Sequence, residues 1–126
     1  METRQIGKSG IETSALALGC WAIGGGSWGG DNDDQMSVDH IHRAFDLGIR
    51  WIDTARVYGF GHSEEVVGRA LKKLPRAPVI ISTKCALQWY EQKGEYHFSR
   101  DGHEVYRALS TTAIRRGLEK ILQALG

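Results

Sequence analysis

Ile49-Arg50-Trp51-Ile52-Asp53 and Val79-Ile80-Ile81-Ser82-Thr83-Lys84, with Ser63-Glu64-Glu65-Val66-Val67-Gly68-Arg69-Ala70-Leu71 between them, decide the fold of this chain. Both outer segments are short apolar runs that end on a charged residue, the pattern of a strand buried in a parallel sheet. The middle segment places Glu64 and Glu65 in a first helical turn, where the helix dipole favours negative charge. Val66, Val67, Ala70 and Leu71 then share one helical face. Pro75 and Pro78 bracket the turn into the second strand. The unit is strand, helix, strand, which in a parallel sheet means a right-handed crossover.

Working outward, the same rhythm appears on both sides. Upstream, Ala15-Leu16-Ala17-Leu18 is an apolar run ending at Gly19, and reads as a strand buried on both faces. Ser37 reads as the N-cap of a helix carrying Asp39 in its first turn and Val38, Ile41, Ala44 and Phe45 on one face. Gly48 is placed to stop it. Before these, Arg4-Gln5-Ile6, a Gly7-Lys8-Ser9-Gly10 turn and Ile11-Glu12-Thr13 predict a small hairpin. Downstream, Cys85 to Leu109 shows neither period and is expected to be a long loop, functional or disordered. Ser110 caps a last helix with Ile114, Leu118, Ile121, Leu122 and Leu125 on one stripe, ending at Gly126. Gly117 inside it is unfavourable by about 1 kcal/mol relative to Ala. The order is therefore a hairpin and then β-α three times. Two architectures are compatible with it: an open doubly wound sheet, or a piece of a (β/α)8 barrel.

Composition narrows the function classes. The 126 residues are 41% hydrophobic and 25% charged, with 16 Lys and Arg against 15 Asp and Glu. That balance suits one globular domain over residues 1–126, which the element order makes α/β. A net charge of +1 gives no basic footprint for nucleic acid and no cationic face for a membrane. The apolar runs are too short to span a bilayer, and the polar start Met1-Glu2-Thr3-Arg4-Gln5 reads as no secretory signal. Cys20 and Cys85 are too few for a disulfide framework, which favours a reducing, cytoplasmic setting. They are expected to be two ordinary buried thiols. His40 and His42 point in different directions on a helix and make no metal site; both are expected on its surface.

Gly24-Gly25-Gly26-Ser27-Trp28-Gly29 matches G-x-G-x-x-G, follows a strand and has Asp53 downstream, the signature of a dinucleotide-binding Rossmann unit. That fingerprint needs its last glycine inside a helix whose N-terminus faces the pyrophosphate. Here Asp31, Asp33 and Asp34 intervene before the Ser37 cap and would repel a pyrophosphate. The segment reads better as a glycine-rich connection, with Trp28 either covering a pocket or facing solvent.

Asp53 and Lys84 close successive strands, and buried parallel strands have little use for charge unless it is paired. In a barrel both emerge at the C-terminal mouth, where barrel active sites lie. Tyr58, just before Gly59, can swing over that mouth. A lysine ammonium beside a tyrosine stabilises the phenolate and makes the phenol a better proton donor. The plainer alternative is an Asp–Lys pair that only satisfies itself, with Tyr58 anchoring a loop.

These residues resemble the aldo-keto reductases, in particular bacterial and general-stress-type members. Asp53-Thr54-Ala55-Arg56-Val57-Tyr58-Gly59 is similar to the family's D-T-A-x-x-Y-G. Gly61-His62-Ser63-Glu64 with Gly68 and Leu71 is similar to its G-x-S-E-x-x-x-G-x-x-L, Ser82-Thr83-Lys84 to its strand-end S/T-T-K, and Leu18-Gly19-Cys20-Trp21 to its first strand exit. The resemblance implies a fold of an N-terminal hairpin plus the first three β/α units of a (β/α)8 TIM barrel. It implies reduction of a small aldehyde or ketone by hydride transfer from NADPH. Tyr58 would be the general acid, Lys84 would strengthen it and Asp53 would pair with Lys84. Gly19, Cys20, Trp21 and Asp53 would lie beside the cofactor, and Trp21 and Trp89 would wall the substrate pocket. The family's fourth catalytic residue, a histidine ending the fourth strand, and its 2′-phosphate contacts are expected beyond Gly126.

Two rivals remain at this stage: a non-catalytic, nucleotide-sensing or subunit-like module on the same fold, and a Rossmann-type dehydrogenase. The barrel reading has Asp53 paired with Lys84, whereas the Rossmann reading leaves Asp53 free. Three strands without a fourth would also leave Leu16, Leu18, Ile52 and Ile80 bare, so self-association of residues 1–126 alone is expected.

Overall fold

A computed structural model describes residues 1–74 and 78–126; Pro75 and the turn it was expected to open lie outside the described residues. The N-terminal hairpin forms, with β1 (Thr3–Gln5) antiparallel to β2 (Glu12–Ser14). Three parallel strands follow in the order β3 (Ala17–Gly19), β4 (Trp51–Asp53) and β5 (Ile80–Ser82). Helices α1 (Asp34–Asp46) and α2 (His62–Leu71) cross over between them, and α3 (Thr111–Leu125) packs on α2. The three-stranded sheet is open.

Register decides which side chains meet. Ala17, Trp51 and Ile80 lie side by side, as do Leu18, Ile52 and Ile81, and then Gly19, Asp53 and Ser82. Side chains alternate along a strand, so Leu18 and Ile52 face the helices while Trp51, Asp53, Ile80 and Ser82 share the opposite face. Ile52 joins Cys20, Val38, Ile41, Val66, Val67 and Ala70 in the main core, with Leu18 packed against it. Leu18 and Ile52 are therefore not on the open inner face. The open face carries the polar strand ends.

Several local expectations are corrected. Helix α1 starts at Asp34, and its cap is Asp33, whose carboxylate accepts from the Met36 amide at 2.9 Å. Ser37 instead lies buried in the helix and donates to Asn32 Oδ1 at 2.9 Å. The run around Leu16 is not buried on both faces, since β3 is an edge strand and Leu16 is 61% exposed. Of the α3 stripe, only Ile121 is fully covered, while Ile114, Leu118 and Leu122 face outward. His42 is not a plain surface residue: its Nε2 lies 3.0 Å from the Ala70 carbonyl, tying α1 to α2.

The largest correction concerns residues 85–109. In place of a structureless loop there is a second sheet in the order β6 (Leu87–Gln88), β8 (His103–Arg107), β7 (Glu95–Arg100). A tight turn with Asp101 and Gly102 both at positive φ joins its two long strands. Periodicity misses it because β7 is mostly exposed on both faces and β8 buries only Val105 completely, so no apolar alternation marks either strand.

Candidate active site

Asp53 and Lys84 meet at the C-terminal edge of the parallel sheet. Lys84 Nζ donates to Asp53 Oδ2 at 2.8 Å and to the Thr54 carbonyl at 2.7 Å. The second Asp53 oxygen accepts from Ser82 Oγ at 2.6 Å, and Ser82 Oγ accepts from Trp51 Nε1 at 3.0 Å. Trp51, Asp53 and Ser82 occupy the face that register assigns to odd positions in β4 and even ones in β5, and Lys84, two residues beyond β5, reaches the same carboxylate. Burial works against the Asp53 charge, but the bonds from Lys84 and Ser82 outweigh it and hold the carboxyl below its ordinary value. Burial likewise opposes the Lys84 ammonium, while Asp53 and the Tyr58 hydroxyl keep its pKa raised. Asp53 is engaged, as the barrel reading requires and the Rossmann reading does not.

Tyr58 reaches the same place from the turn after β4. Its amide donates to the Ala55 carbonyl at 3.0 Å, starting a short 3-10 turn over Tyr58–Gly61. Gly59 sits at φ 58 within it. A Cβ on Gly24 would come within 2.7 Å of the Gly59 nitrogen, so glycine lets the two backbones touch. Phe60 also adopts a positive φ, 53°, strain of about 1–3 kcal/mol that its packing against Trp28, Trp89 and His103 offsets. Lys84 Nζ lies 5.2 Å from the centre of the Tyr58 ring.

The strand exit at Gly19-Cys20-Trp21 borders this cluster. The Cys20 amide donates to the Asp53 carbonyl at 2.8 Å, and Ser63 Oγ donates to the Cys20 carbonyl at 2.8 Å. Ser63 is thus a tether from α2 to the strand exit; Thr54 Oγ1 lies 3.0 Å from it. The Cys20 thiol is fully buried, and burial, with the nearby Asp53 charge, pushes it up to about 12. Cys85, expected to be buried, is exposed at the cavity rim. Glu64 is completely buried at the start of α2, where it accepts from Thr83 Oγ1 at 2.7 Å and pairs with Arg56 at 3.3 Å. It pins the residue before Lys84, a role its sequence position in a first turn did not show.

A cavity of about 400 Å³ opens beside Tyr58 and Lys84, walled by Trp21, Trp28, Leu87 and Phe98 among others. Trp21 is 50% exposed and packs at a tilt against the Tyr58 ring, with centroids 5.1 Å apart. Trp28, left open between pocket and solvent, is buried, 4.8 Å from Trp21 and 5.7 Å from Tyr58. Trp89 stands outside this lining; it packs 5.4 Å from Phe60 and under the Arg56 guanidinium. The place expected for it is taken by Trp28 and by Phe98 of β7. Sequence reasoning missed Phe98 and Arg100 because the sheet that carries them was read as a loop.

The glycine-rich segment confirms no helix-opening fingerprint. Gly25 donates to Ala22, Trp28 to Gly25 and Gly30 to Gly26 in successive tight turns, and the next helix begins only at Asp34. Asp34 is engaged by His62 and Arg69 of α2, which hold its carboxyl below the ordinary range. Among the described residues no group of three or more His, Cys, Asp or Glu is arranged to hold a metal. No described helix is long and apolar enough to cross a membrane.

Comparison with known proteins gives one answer. The model of the Aldo/keto reductase family matches residues 15–126. The chain is 45% identical over its whole length to the NADH-specific methylglyoxal reductase of Escherichia coli, covering 39% of that protein. It is 48% identical over 79% of its length to the aldo-keto reductase YhdN of Bacillus subtilis, covering 30% of it. Glycerol dehydrogenase AKR11B4 from Gluconobacter oxydans superimposes with a TM-score of 0.79 and 42% identity, over 98% of this chain and 35% of that one. The chain thus spans well under half the length of the relatives it matches. With the strand order, the Asp53–Lys84 contact and these likenesses together, this chain belongs to the aldo/keto reductase family.

Proposed function

We propose that this chain carries the proton-donating half of an oxidoreductase site that reduces a small aldehyde or ketone with a reduced nicotinamide cofactor. The observation that supports this reading is the Lys84 ammonium, held by Asp53 and the Thr54 carbonyl beside the Tyr58 ring at the mouth of the cavity. The cofactor's fit is supported by the strand exit: an added Cβ on Gly19 would meet nothing within 4 Å, so the backbone there is open to a flat group. Gly19 and the half-exposed Trp21 ring would hold it, with Asp53 behind them; the fully buried Cys20, its amide and carbonyl already bonded, would fix the strand exit between the two. When bound, it supplies the hydride.

The remaining chemistry belongs to the side chains. Tyr58 donates its hydroxyl proton to the oxygen of the substrate carbonyl as that oxygen gains charge. The Lys84 ammonium stabilises the charge left on the Tyr58 oxygen, and Asp53 fixes Lys84 in place. Trp21, Trp28 and Phe98 exclude water around the carbonyl and offer it an apolar wall.

The test is cofactor oxidation by the full-length protein with 4-nitrobenzaldehyde, run with NADPH and NADH side by side. NADPH is the expectation from the resemblance, and NADH is named for the Escherichia coli relative. Tyr58→Phe should lower turnover about 10²–10⁴-fold, the usual weight of a general acid, while cofactor binding stays within about twofold. Unchanged turnover in that variant would remove Tyr58 from the role. Dinucleotide binding without turnover of any carbonyl would favour the non-catalytic module.

A further inference from the structure

The cavity beside Tyr58 is mostly apolar and carries charge at two points. Its wall includes two cations, Lys84 and Arg100, and no carboxylate. Lys84 is neutralised by Asp53. Arg100 is different: among the described residues it has no ion pair and no side-chain hydrogen-bond partner. Its neighbour Asp101 turns away and accepts from Ser27 Oγ at 2.7 Å. What holds Arg100 is stacking, with its guanidinium carbon 4.4 Å from the Trp28 ring centre and 5.8 Å from that of Phe98.

A half-buried guanidinium on aromatic faces keeps its charge and leaves its planar fork of N–H donors unspent. Such a fork matches a carboxylate or phosphate with two parallel bonds. We infer that Arg100 selects carbonyl substrates bearing an anionic group, a carboxylate or a phosphate, at the end of the molecule away from the reacting carbonyl. This rests on the proposed reductase site and deepens it: Tyr58 addresses the carbonyl oxygen and Arg100 the far end. Trp28 serves both, since its ring packs 5.7 Å from that of Tyr58 and carries the Arg100 guanidinium at 4.4 Å.

The test reads binding as well as turnover. The probes are 4-carboxybenzaldehyde, 4-formylphenyl phosphate and the neutral 4-methylbenzaldehyde, titrated into the full-length protein and followed by tryptophan fluorescence. The two anionic probes should bind about tenfold or more tighter than the neutral one, the weight of a charge-assisted pair. Arg100→Met, which keeps the stem on Trp28, should erase that ratio and leave the neutral probe within about twofold, while Arg100→Lys should retain part of it. Which anionic probe wins separates carboxylate from phosphate. Equal binding of neutral and anionic probes by the unaltered protein would overturn the assignment without any variant, as would an unchanged ratio in Arg100→Met. Turnover is scored separately. Failure to reduce any of the three with NADH or NADPH defeats the reductase reading, and the binding ratio still decides the role of Arg100.

Discussion

Residues 17–84 and residues 87–107 each contain a three-stranded sheet, and the two sheets are held in opposite ways. The parallel one is backed by α1 and α2 over a continuous core from Cys20 to Ala70. The antiparallel one has Val105 as its fully buried residue and leans with Phe98 and Leu87 on Trp28, Ala55 and Val57 of the other region. One wall of the cavity is therefore fixed by a core, and the other is hung from a few aromatic contacts. The proposed proton-donating group, Asp53, Tyr58 and Lys84, sits on the first wall. Arg100, inferred to meet the substrate's far end, sits on the second, beside Phe98.

Trp28 is where the comparison is most easily broken. It is 6% exposed and touches Trp21, Tyr58, Phe60 and Phe98. Truncating a buried tryptophan costs about 3–5 kcal/mol. The low end is expected here, because Trp28 Nε1 is buried without a hydrogen-bond partner and that penalty disappears with the ring. Trp28→Ala should lower stability by about 3 kcal/mol, and amide exchange should rise mainly in residues 95–107. Equal loss of protection in residues 17–84 would show that the two walls are one cooperative unit.

The same contrast explains what could be read from sequence. Asp53 and Lys84 were legible because each ends an apolar run, and in a parallel sheet the ends of neighbouring strands lie together. Tyr58 was legible through its spacing from Asp53 and Gly59. Ser82 was quoted only as part of a motif, although register puts it on the same face as Asp53 and makes it a donor to that carboxylate. The second sheet was not legible, since Glu95, Tyr96, His97, Ser99 and Arg100 give no apolar period on which to recognise a strand. The α1 cap was misplaced because Asp33 and Ser37 both suit an N-cap. Packing decides between them: Ser37 is buried on the helix face that meets the core.

Helix α3 touches both regions, and its two glycine contacts sharpen the comparison. Gly68 of α2 faces α3 so closely that an added Cβ would run into the Ala124 carbonyl oxygen and come within 3.1 Å of Leu125 Cα. Those are backbone atoms, which cannot step aside. Gly117 of α3 faces Cys85, in the link just before the second region, and a Cβ there would lie 4.0 Å from Cys85 Cβ, an ordinary contact. Gly68→Ala should therefore destabilise by about 1–3 kcal/mol through overpacking. Gly117→Ala should stabilise by about 0.5–1 kcal/mol, because helix propensity improves and nothing must move. Urea unfolding of both variants checks the pair. Two effects of the same sign would mean that α3 meets both regions with equal tightness.

The smallest effect lies in the acid and base limbs of stability, and it tests the fixed wall alone. Asp53 titrates below its ordinary 3.8, so its contribution is present above that pH and is lost as pH falls through the lower folded value. Lys84 titrates above its ordinary 10.5, so its contribution is complete below that pH and is lost as pH rises through the higher folded value. Between these limits the pair adds a constant amount. The two side chains are 38% and 51% exposed, so solvent screening limits that amount to under about 1 kcal/mol. Thermal unfolding of the unaltered protein and Asp53→Asn should differ slightly at neutral pH and converge only once pH has fallen through the folded value, which lies below 3.8, where Asp53 of the native protein becomes protonated. A gap that widens on acidification would reverse the sign required by the Asp53–Lys84 contact. In that case the contact would be a consequence of the fold around it, and the ordering of Tyr58 and Lys84 would have to come from Thr54, Glu64 and the turn at Gly59.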